Sequence, residues 1–259
     1  MEHRDMRQVW TIARFVWLEL WRGRLWLVLT TIPCLAFFAG HFAAHIALTD
    51  SIEINVAISA ATARLIAVIV VCLLTVAHSV REQQDKTLDW MLSMPMSRAH
   101  YLFGKWLGFA GLVLLATVLA ALPLLSLVPI GALALWLIKL FAELAIMMSF
   151  ALFVGLSFSQ VPAAVVACLG FYWLSRSISA MVLMIDNPLL PDATLSTMVI
   201  QYVTHNLAAV LPSLDRFADA RNLVELASVS FGVDLAIHTI IYVLLLISAA
   251  LLDLYRKEL

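Results

Sequence analysis

Charge is scarce in this chain: Asp, Glu, Lys and Arg make up 13% of its 259 residues, and the formal net charge is -1. Nucleic-acid binding needs a strong excess of Lys and Arg clustered on one face, so this composition excludes it. Cysteine is scarce as well. Cys34, Cys72 and Cys168 stand singly inside apolar runs without C-x-x-C spacing, and neither a disulfide framework nor a zinc site is predicted.

A phosphate-binding loop is also missing, because the pattern G-x-x-x-x-G-K-[ST] occurs nowhere in the sequence. Gly104-Lys105 is followed by Trp106 and is not preceded by a glycine-rich loop. We therefore expect this chain not to be an enzyme that hydrolyses ATP. No internal repeat or linker divides the sequence, and arginines interrupt any signal-peptide core near its start, so we expect one domain over residues 1–259.

Long apolar runs, by contrast, are abundant. Hydrophobic residues make up 63% of the chain and the mean hydropathy is +0.98, well above the range of soluble domains. A membrane-spanning helix needs about 20 mostly apolar residues, because its backbone polar groups must be satisfied within the segment. We predict an all-α integral membrane protein with about six transmembrane helices, at 25–48, 56–79, 102–129, 133–158, 161–185 and 233–254.

The distribution of Lys and Arg predicts the orientation, since short loops rich in these residues stay on the cytoplasmic side. With both termini in the cytoplasm, most of the basic residues fall inside. They are Arg4, Arg7, Arg14, Arg22, Arg24, Arg81, Lys86, Arg98, Lys105, Arg256 and Lys257.

Two segments outside the spans have amphipathic character. Residues 1–24 are predicted to form a helix that lies along the inner membrane surface, or that extends the first span. Its apolar stripe consists of Ala13, Val16, Trp17, Leu20 and Trp21. Residues 186–232 form a longer outer loop, in which 195–211 are predicted to be a re-entrant or surface-lying helix before span 6.

Charge gathers between the second and third predicted spans, in the stretch REQQDKTLDWMLSMPMSRAHYLFGKW at 81–106. Asp85 can cap a short helix that Pro95 ends, and Ser97 can cap the next span. This helix would display Glu82, Lys86 and Asp89 to the cytosol. A plain connection needs only about five residues, so we expect a cytoplasmic partner to dock here.

The same stretch resembles a motif of ABC-2 type ABC transporter permease subunits, E-x-x-x-G-T-L-E-x-L-L-x-x-P-x-S-R-x-x-x-x-x-G-K. The resemblance is closest to the branch that contains the permease of nitrous oxide reductase copper-site maturation. Lys86 stands where a glycine is usual, and Asp89 where a glutamate is usual. The matching positions are Glu82, Thr87, Leu88, Asp89, Leu92, Pro95, Ser97, Arg98, Gly104 and Lys105.

The resemblance implies a cytoplasmic coupling helix between spans 1–2 and spans 3–4, within residues 80–105, that seats in a groove of a separate ATPase subunit. It also implies two ATPase copies, which bind ATP and Mg, and a second permease chain in a homodimer or heterodimer. The chain would then be an exporter permease in a bacterial inner membrane. The coupling residues implied are Glu82, Thr87, Leu88, Asp89, Leu92, Pro95 and Arg98.

Ionisable residues inside the predicted spans suggest further sites and a second class of function. Lys139 and Glu143 stand at i, i+4, as a structural ion pair or as groups lining a path, and Arg176 lies deep in the fifth span. We take all three as translocation or interface candidates. Such residues would also serve a self-sufficient ion-coupled secondary transporter or a membrane-embedded enzyme, which is the alternative function.

A weaker metal candidate lies in the first span. His41 and His45 are spaced so that two imidazoles on one helix face could share a metal ion, with Asp50 and Glu53 nearby. Two such histidines near a membrane surface are also ordinary amphipathic residues, so both readings stay open. The substrate is left open as well: a lipid, a lipid-linked glycan, a hydrophobic drug or a peptide fits an apolar interior equally well.

Overall fold

The computed structural model describes residues 2–23, 25–46, 51–85, 97–186, 195–217 and 233–256. Within these ranges the chain is helical and contains no β-strand. Single-turn 3-10 helices occupy Leu122–Leu124 and Leu214–Phe217. The α-helices are α1 (Glu2–Arg22), α2 (Leu25–Leu29), α3 (Thr31–Ile46), α4 (Ser51–Gln84), α5 (Arg98–Ala121), α6 (Ile130–Ser157), α7 (Val161–Asp186), α8 (Leu195–Val210) and α9 (Val233–Arg256).

Six helical segments are long and apolar enough to cross a membrane, which confirms the predicted number of spans. They are Leu27–Ile46, Ser51–Gln84, Arg98–Leu124, Ile130–Ser157, Val161–Asp186 and Asp234–Arg256. Each has at least the roughly 20 residues that a helix needs to cross the hydrocarbon core. The chain is therefore built as a multi-pass membrane protein.

Side-chain contacts define one end of the helical bundle, which we call the loop end. Gln84 donates from Nε2 to the Ser159 carbonyl oxygen at 3.1 Å, between the end of α4 and the α6–α7 turn. Ser157 donates from Oγ to Asp253 Oδ2 at 2.9 Å, between the ends of α6 and α9. The ends of α4, α6 and α9 therefore lie at the same end of the bundle as the starts of α5 and α7.

The helices α4, α5 and α6 form the centre of the bundle. Their most apolar windows are 56%, 56% and 67% buried, against 22% or less for α3, α7 and α9, which therefore lie on the outside. Small residues let the central helices approach. A side chain at Gly155 in α6 would place its Cβ 2.9 Å from the Cβ of Ser79 in α4, which is too close for any larger residue without a shift.

Helix α1 packs along α5 through a row of glycines in a G-x-x-x-G arrangement. A Cβ at Gly104 would lie 2.9 Å from the Cβ of Ile12, and a Cβ at Gly108 would lie 2.8 Å from the Cβ of Val16. Val16 and Leu20, which belong to the predicted surface stripe, are buried in this contact. The glycines bring α1 close enough to α5 to bury Val16 and Leu20, so this part of the stripe is a packing face.

The segment between α4 and α5 differs from the prediction. Helix α4 continues to Gln84 and α5 begins at Arg98, so both ends of the stretch 81–106 are helical. The predicted cap of the next helix is confirmed: Ser97 Oγ accepts from the backbone N–H of His100 at 3.2 Å. The coupling helix predicted around Thr87, Leu88, Asp89, Leu92 and Pro95 lies outside the described residues.

The predicted outer helix at 195–211 is present as α8, which packs against α7. It is not among the described segments that are long and apolar enough to span a membrane. Whether α8 is re-entrant or lies on the surface stays a prediction, as does the placement of α1 relative to the membrane.

Candidate functional site

An ionic cluster, buried except for one half-exposed carboxylate, lies at the loop end, where α1, α4 and α5 meet. We call it the loop-end cluster; it consists of Glu19, His78, Glu82, Tyr101 and Lys105. Glu82 accepts a hydrogen bond from the Tyr101 hydroxyl at 2.9 Å and forms an ion pair with Lys105 Nζ. The Lys105 side chain is fully buried, and only 6% of the Glu82 side chain is exposed.

The burial of Glu82 corrects the prediction that this residue is displayed to the cytosol. The prediction places Arg81 and Glu82 at the start of a loop, whereas both lie in α4. Glu82 occurs on the face of α4 that meets α5, and Lys105 there supplies the opposite charge that a buried carboxylate requires. Two positions of the resemblance motif, Glu82 and Lys105, therefore bind each other.

His78 lies between two carboxylates from different helices. Its Nε2 is 3.2 Å from Glu19 Oε2 on α1, and its Nδ1 is 3.6 Å from Glu82 Oε1, one turn along α4. The hydrogen-bonding interaction with His78 holds the pKa of Glu19 below its usual range, although partial burial of Glu19 opposes this shift. The imidazole thus joins α1 to the ion pair between α4 and α5.

The donor set of this cluster suits an ionic bridge better than a metal ion. Among the described residues, Glu19, His78 and Glu82 are the one group of three metal-ligating side chains whose ligand atoms lie within 4.8 Å of one another. The two carboxylates, however, approach opposite nitrogens of the imidazole, and a metal ion bonds only one of them. Lys105 also already forms an ion pair with Glu82, and its positive charge would repel a metal ion.

Both flanks of the segment 86–96 are fastened to the bundle. On the α4 side, Gln83 Nε2 donates to the Gly155 carbonyl oxygen of α6 at 2.5 Å. On the α5 side, Arg98 Nη1 donates to the Leu254 carbonyl oxygen of α9 at 2.6 Å. The Arg98 guanidinium also lies over the ring of Tyr255, 5.4 Å from its centroid. The two coupling candidates that the structure describes, Glu82 and Arg98, are therefore anchoring residues.

A second buried cluster, which we call the midspan cluster, contains Arg64 of α4, Glu143 of α6, and Tyr172 and Arg176 of α7. Arg64 Nε is 3.4 Å from Glu143 Oε2, and Arg176 Nη1 is 4.0 Å from Glu143 Oε1. Glu143 is fully buried, and Arg64 is 3% exposed. At 1.5 Å per residue, Glu143 stands about 21 Å from the loop end of α6, well within the span.

The midspan cluster overturns the predicted pair of Lys139 with Glu143. The carboxylate of Glu143 binds Arg64 and Arg176 on neighbouring helices, and among the described residues no ion pair joins it to Lys139. The i, i+4 spacing places two side chains on one face of a helix, but it does not show whether they pair with each other or with residues of other helices. Sequence analysis missed Arg64, whose signal was a lone arginine inside a long apolar run.

The remaining predicted site residues lie at the opposite end of the bundle from the loop end. Lys139 is buried and lines a cavity between α6 and α9. His41 and His45 are exposed on α3, with their Nε2 atoms 3.3 Å apart, so the spacing does bring the two imidazoles together. Asp50 lies outside the described residues, and a metal ion at this pair stays a prediction.

The chain matches no protein-family model, and no curated protein matches it. The function therefore has to be inferred from the motif at 81–106 and from the geometry of the two clusters.

Proposed function

We propose that this chain is the transmembrane permease subunit of an ATP-driven exporter of the ABC-2 type. It would lie in a bacterial inner membrane with both termini in the cytoplasm, and a separate ATPase subunit would dock on the segment 86–96. The observation that carries the proposal is the anchoring of both flanks of that segment to four helices of the bundle.

The anchoring contacts would pass a displacement of the segment into the membrane helices. On one flank, Glu82 and Lys105 join α4 to α5, and Gln83 joins α4 to α6. On the other flank, Arg98 joins α5 to α9. A buried ion pair resists separation because breaking it leaves an uncompensated charge. Closure of the ATPase subunits would therefore move these helices together.

The exposed face of α1 supports the cytoplasmic placement of the loop end. Trp10 and Trp21 are 69% and 42% exposed, and Arg14 and Arg22 are exposed beside them. Tryptophans at the level of the lipid headgroups and arginines near anionic lipid are typical of a helix at the inner membrane surface. Through His78 and Glu19, such a helix would be linked to the same ion pair.

The first experiment is a pull-down of the tagged full chain from its native membrane in mild detergent, followed by an ATPase assay of the eluate. The test variant is the double substitution Leu88→Asp and Leu92→Asp in the docking segment. The control is Ser159→Asp with Gln160→Asp, which adds two carboxylates to an exposed turn at the same end.

We expect an ATPase with a phosphate-binding loop to copurify with the wild type and the control, and to be lost from the test variant. A lone chain without ATP turnover, under conditions that keep a reference ABC complex intact, would refute the proposal. Equal recovery of the ATPase with the test variant would refute docking on the segment.

The midspan cluster favours a second candidate, an ion-coupled secondary transporter that works without an ATPase. Buried ionisable groups inside spans are typical of proton and ion pathways, and Glu143 is a fully buried carboxylate between two arginines. The purified chain in proteoliposomes would then carry protons when a membrane potential is imposed, and Glu143→Gln would abolish this flux. Absence of flux in the wild type would reject this candidate.

A further inference from the structure

A cavity of about 210 Å³ lies at the end of the bundle opposite the loop end, between α6, α9 and the 3-10 helix Leu214–Phe217. It is separate from both clusters described above. Its polar lining consists of Lys139, Ser213, Arg216, Asp234, His238 and Tyr242.

The walls of this cavity are fixed by contacts of their own. Asp215 Oδ1 accepts from Ser179 Oγ at 2.8 Å, which ties the 3-10 helix to α7, and Phe217 is buried beneath it. At the opposite, loop end, the hydrogen bond from Ser157 to Asp253 joins the other ends of α6 and α9. The cavity is partly open, and the 3-10 helix that lines it is held to α7.

The electrostatics of the cavity favour an anion. Only 9% of Lys139 is exposed, and within the described parts of the chain no carboxylate lies within 4.0 Å of its amine. Glu143, one turn along α6, is bound by arginines of other helices. Arg216 adds a second positive charge to the lining, and Asp234 is the one acidic residue of the lining. A buried ammonium group calls for a negatively charged partner.

The residues that line the cavity suit the phosphate group of a phosphate ester. Lys and Arg side chains bind phosphate through short, charge-assisted hydrogen bonds. The rest of the lining includes apolar Ile146 and Leu235, and the outer face of α9 continues as exposed Ile241 and Leu244. The site could therefore hold a phosphate headgroup whose acyl chains lie along α9, or a free phosphate ester.

We propose that this cavity is a phosphate-ester binding site in which Lys139 and Arg216 bind the phosphate oxygens. The site is independent of any ATPase partner, so its failure would leave the proposed function untouched.

The test is titration calorimetry on the purified full chain in neutral detergent. The probes are dihexanoylphosphatidylglycerol, which carries the phosphate on a lipid, glycerol 3-phosphate, which is water-soluble, and dihexanoylglycerol, which has no phosphate. The variants are Lys139→Gln and Arg216→Gln, and Arg256→Gln is the matched control, because it removes one positive charge from α9 at the loop end. Arg216 is exposed, so its substitution tests the site without disturbing the core.

Each test variant should weaken binding of the phosphate probes by about tenfold or more, as expected for the loss of one charge-assisted hydrogen bond, and the control should not. Binding of the lipid probe alone identifies a headgroup site, and binding of glycerol 3-phosphate identifies a site for soluble esters; both support the proposal. Failure of both phosphate probes to bind, equal binding of dihexanoylglycerol, or wild-type affinity in both test variants would overturn it.

Discussion

Replacement of Lys105 by Met should destabilise the protein strongly. Lys105 is fully buried, and its loss leaves the carboxylate of Glu82 with the Tyr101 hydroxyl at 2.9 Å and His78 at 3.6 Å as neighbours. Removing one partner of a buried ion pair costs about 3–5 kcal/mol, because the remaining charge is left uncompensated. The double variant Glu82→Leu with Lys105→Met removes both charges and should be close to the wild type.

The assay is the free energy of unfolding in mixed micelles, measured for the wild type, both single variants and the double variant. The coupling energy of the four-member cycle should be about 3 kcal/mol or more. Lys139→Met is the matched control, since this lysine is also buried but has no ion pair within the described residues. A double variant that loses the sum of the two single losses, or a Lys105→Met that loses no more than Lys139→Met, would refute the reasoning.

Two further predictions concern α1. Gly108→Leu should detach α1 from α5 and lower the free energy of unfolding by roughly 1–3 kcal/mol, because its Cβ would lie 2.8 Å from the Cβ of Val16. Gly170→Leu is the control, since a Cβ at Gly170 meets nothing within 4 Å. Equal unfolding free energies for the two variants would contradict this prediction. The second is a pH dependence: the pKa of Glu19 is lowered in the folded chain, so the stability that its contact with His78 adds is present above pH 4.5 and is lost as the pH falls below it. Glu19 is 49% exposed, so this contribution to stability should stay under about 1 kcal/mol, and Glu19→Gln should remove it. The measurement is the rate of proteolysis within α1 as a function of pH. A Glu19→Gln variant with the wild-type pH profile would count against the prediction.

The spans could be predicted from the sequence because they depend on local properties. Length and apolar composition decide whether a helix can cross a bilayer, and neither requires knowledge of the neighbouring helices. The cap at Ser97 was also predictable, since a serine before a helix satisfies a backbone N–H two or three residues later. The G-x-x-x-G pair of Gly104 and Gly108 was visible too, but the sequence does not say which helix would pack on it.

The charged contacts could not be predicted, because their partners are distant in the sequence. Glu143 has Lys139 as a helical neighbour four residues earlier, and yet it binds Arg64, which lies 79 positions earlier on another helix. Glu82 looked exposed because polar residues follow it, whereas its burial depends on Lys105 across the segment 86–96. Sequence spacing fixes which face of a helix a residue occupies, and tertiary packing decides what that face meets.

The two clusters are connected through a single helix. Arg64 and Glu82 both lie on α4, 18 residues apart, which is five helical turns and about 27 Å, so they share one side of the helix. The 34 residues of α4 contain no glycine or proline, the usual causes of a kink. Because Gln83 joins α4 to α6, a displacement of the loop end of α4 would carry Arg64 and Glu143 together, while Arg176 stays with α7. Such a movement would change access to Glu143 whether or not an ion gradient is present. The ATP-driven permease and the ion-coupled transporter would therefore use the same helix, moved by a docked ATPase in the first case and by ion binding in the second.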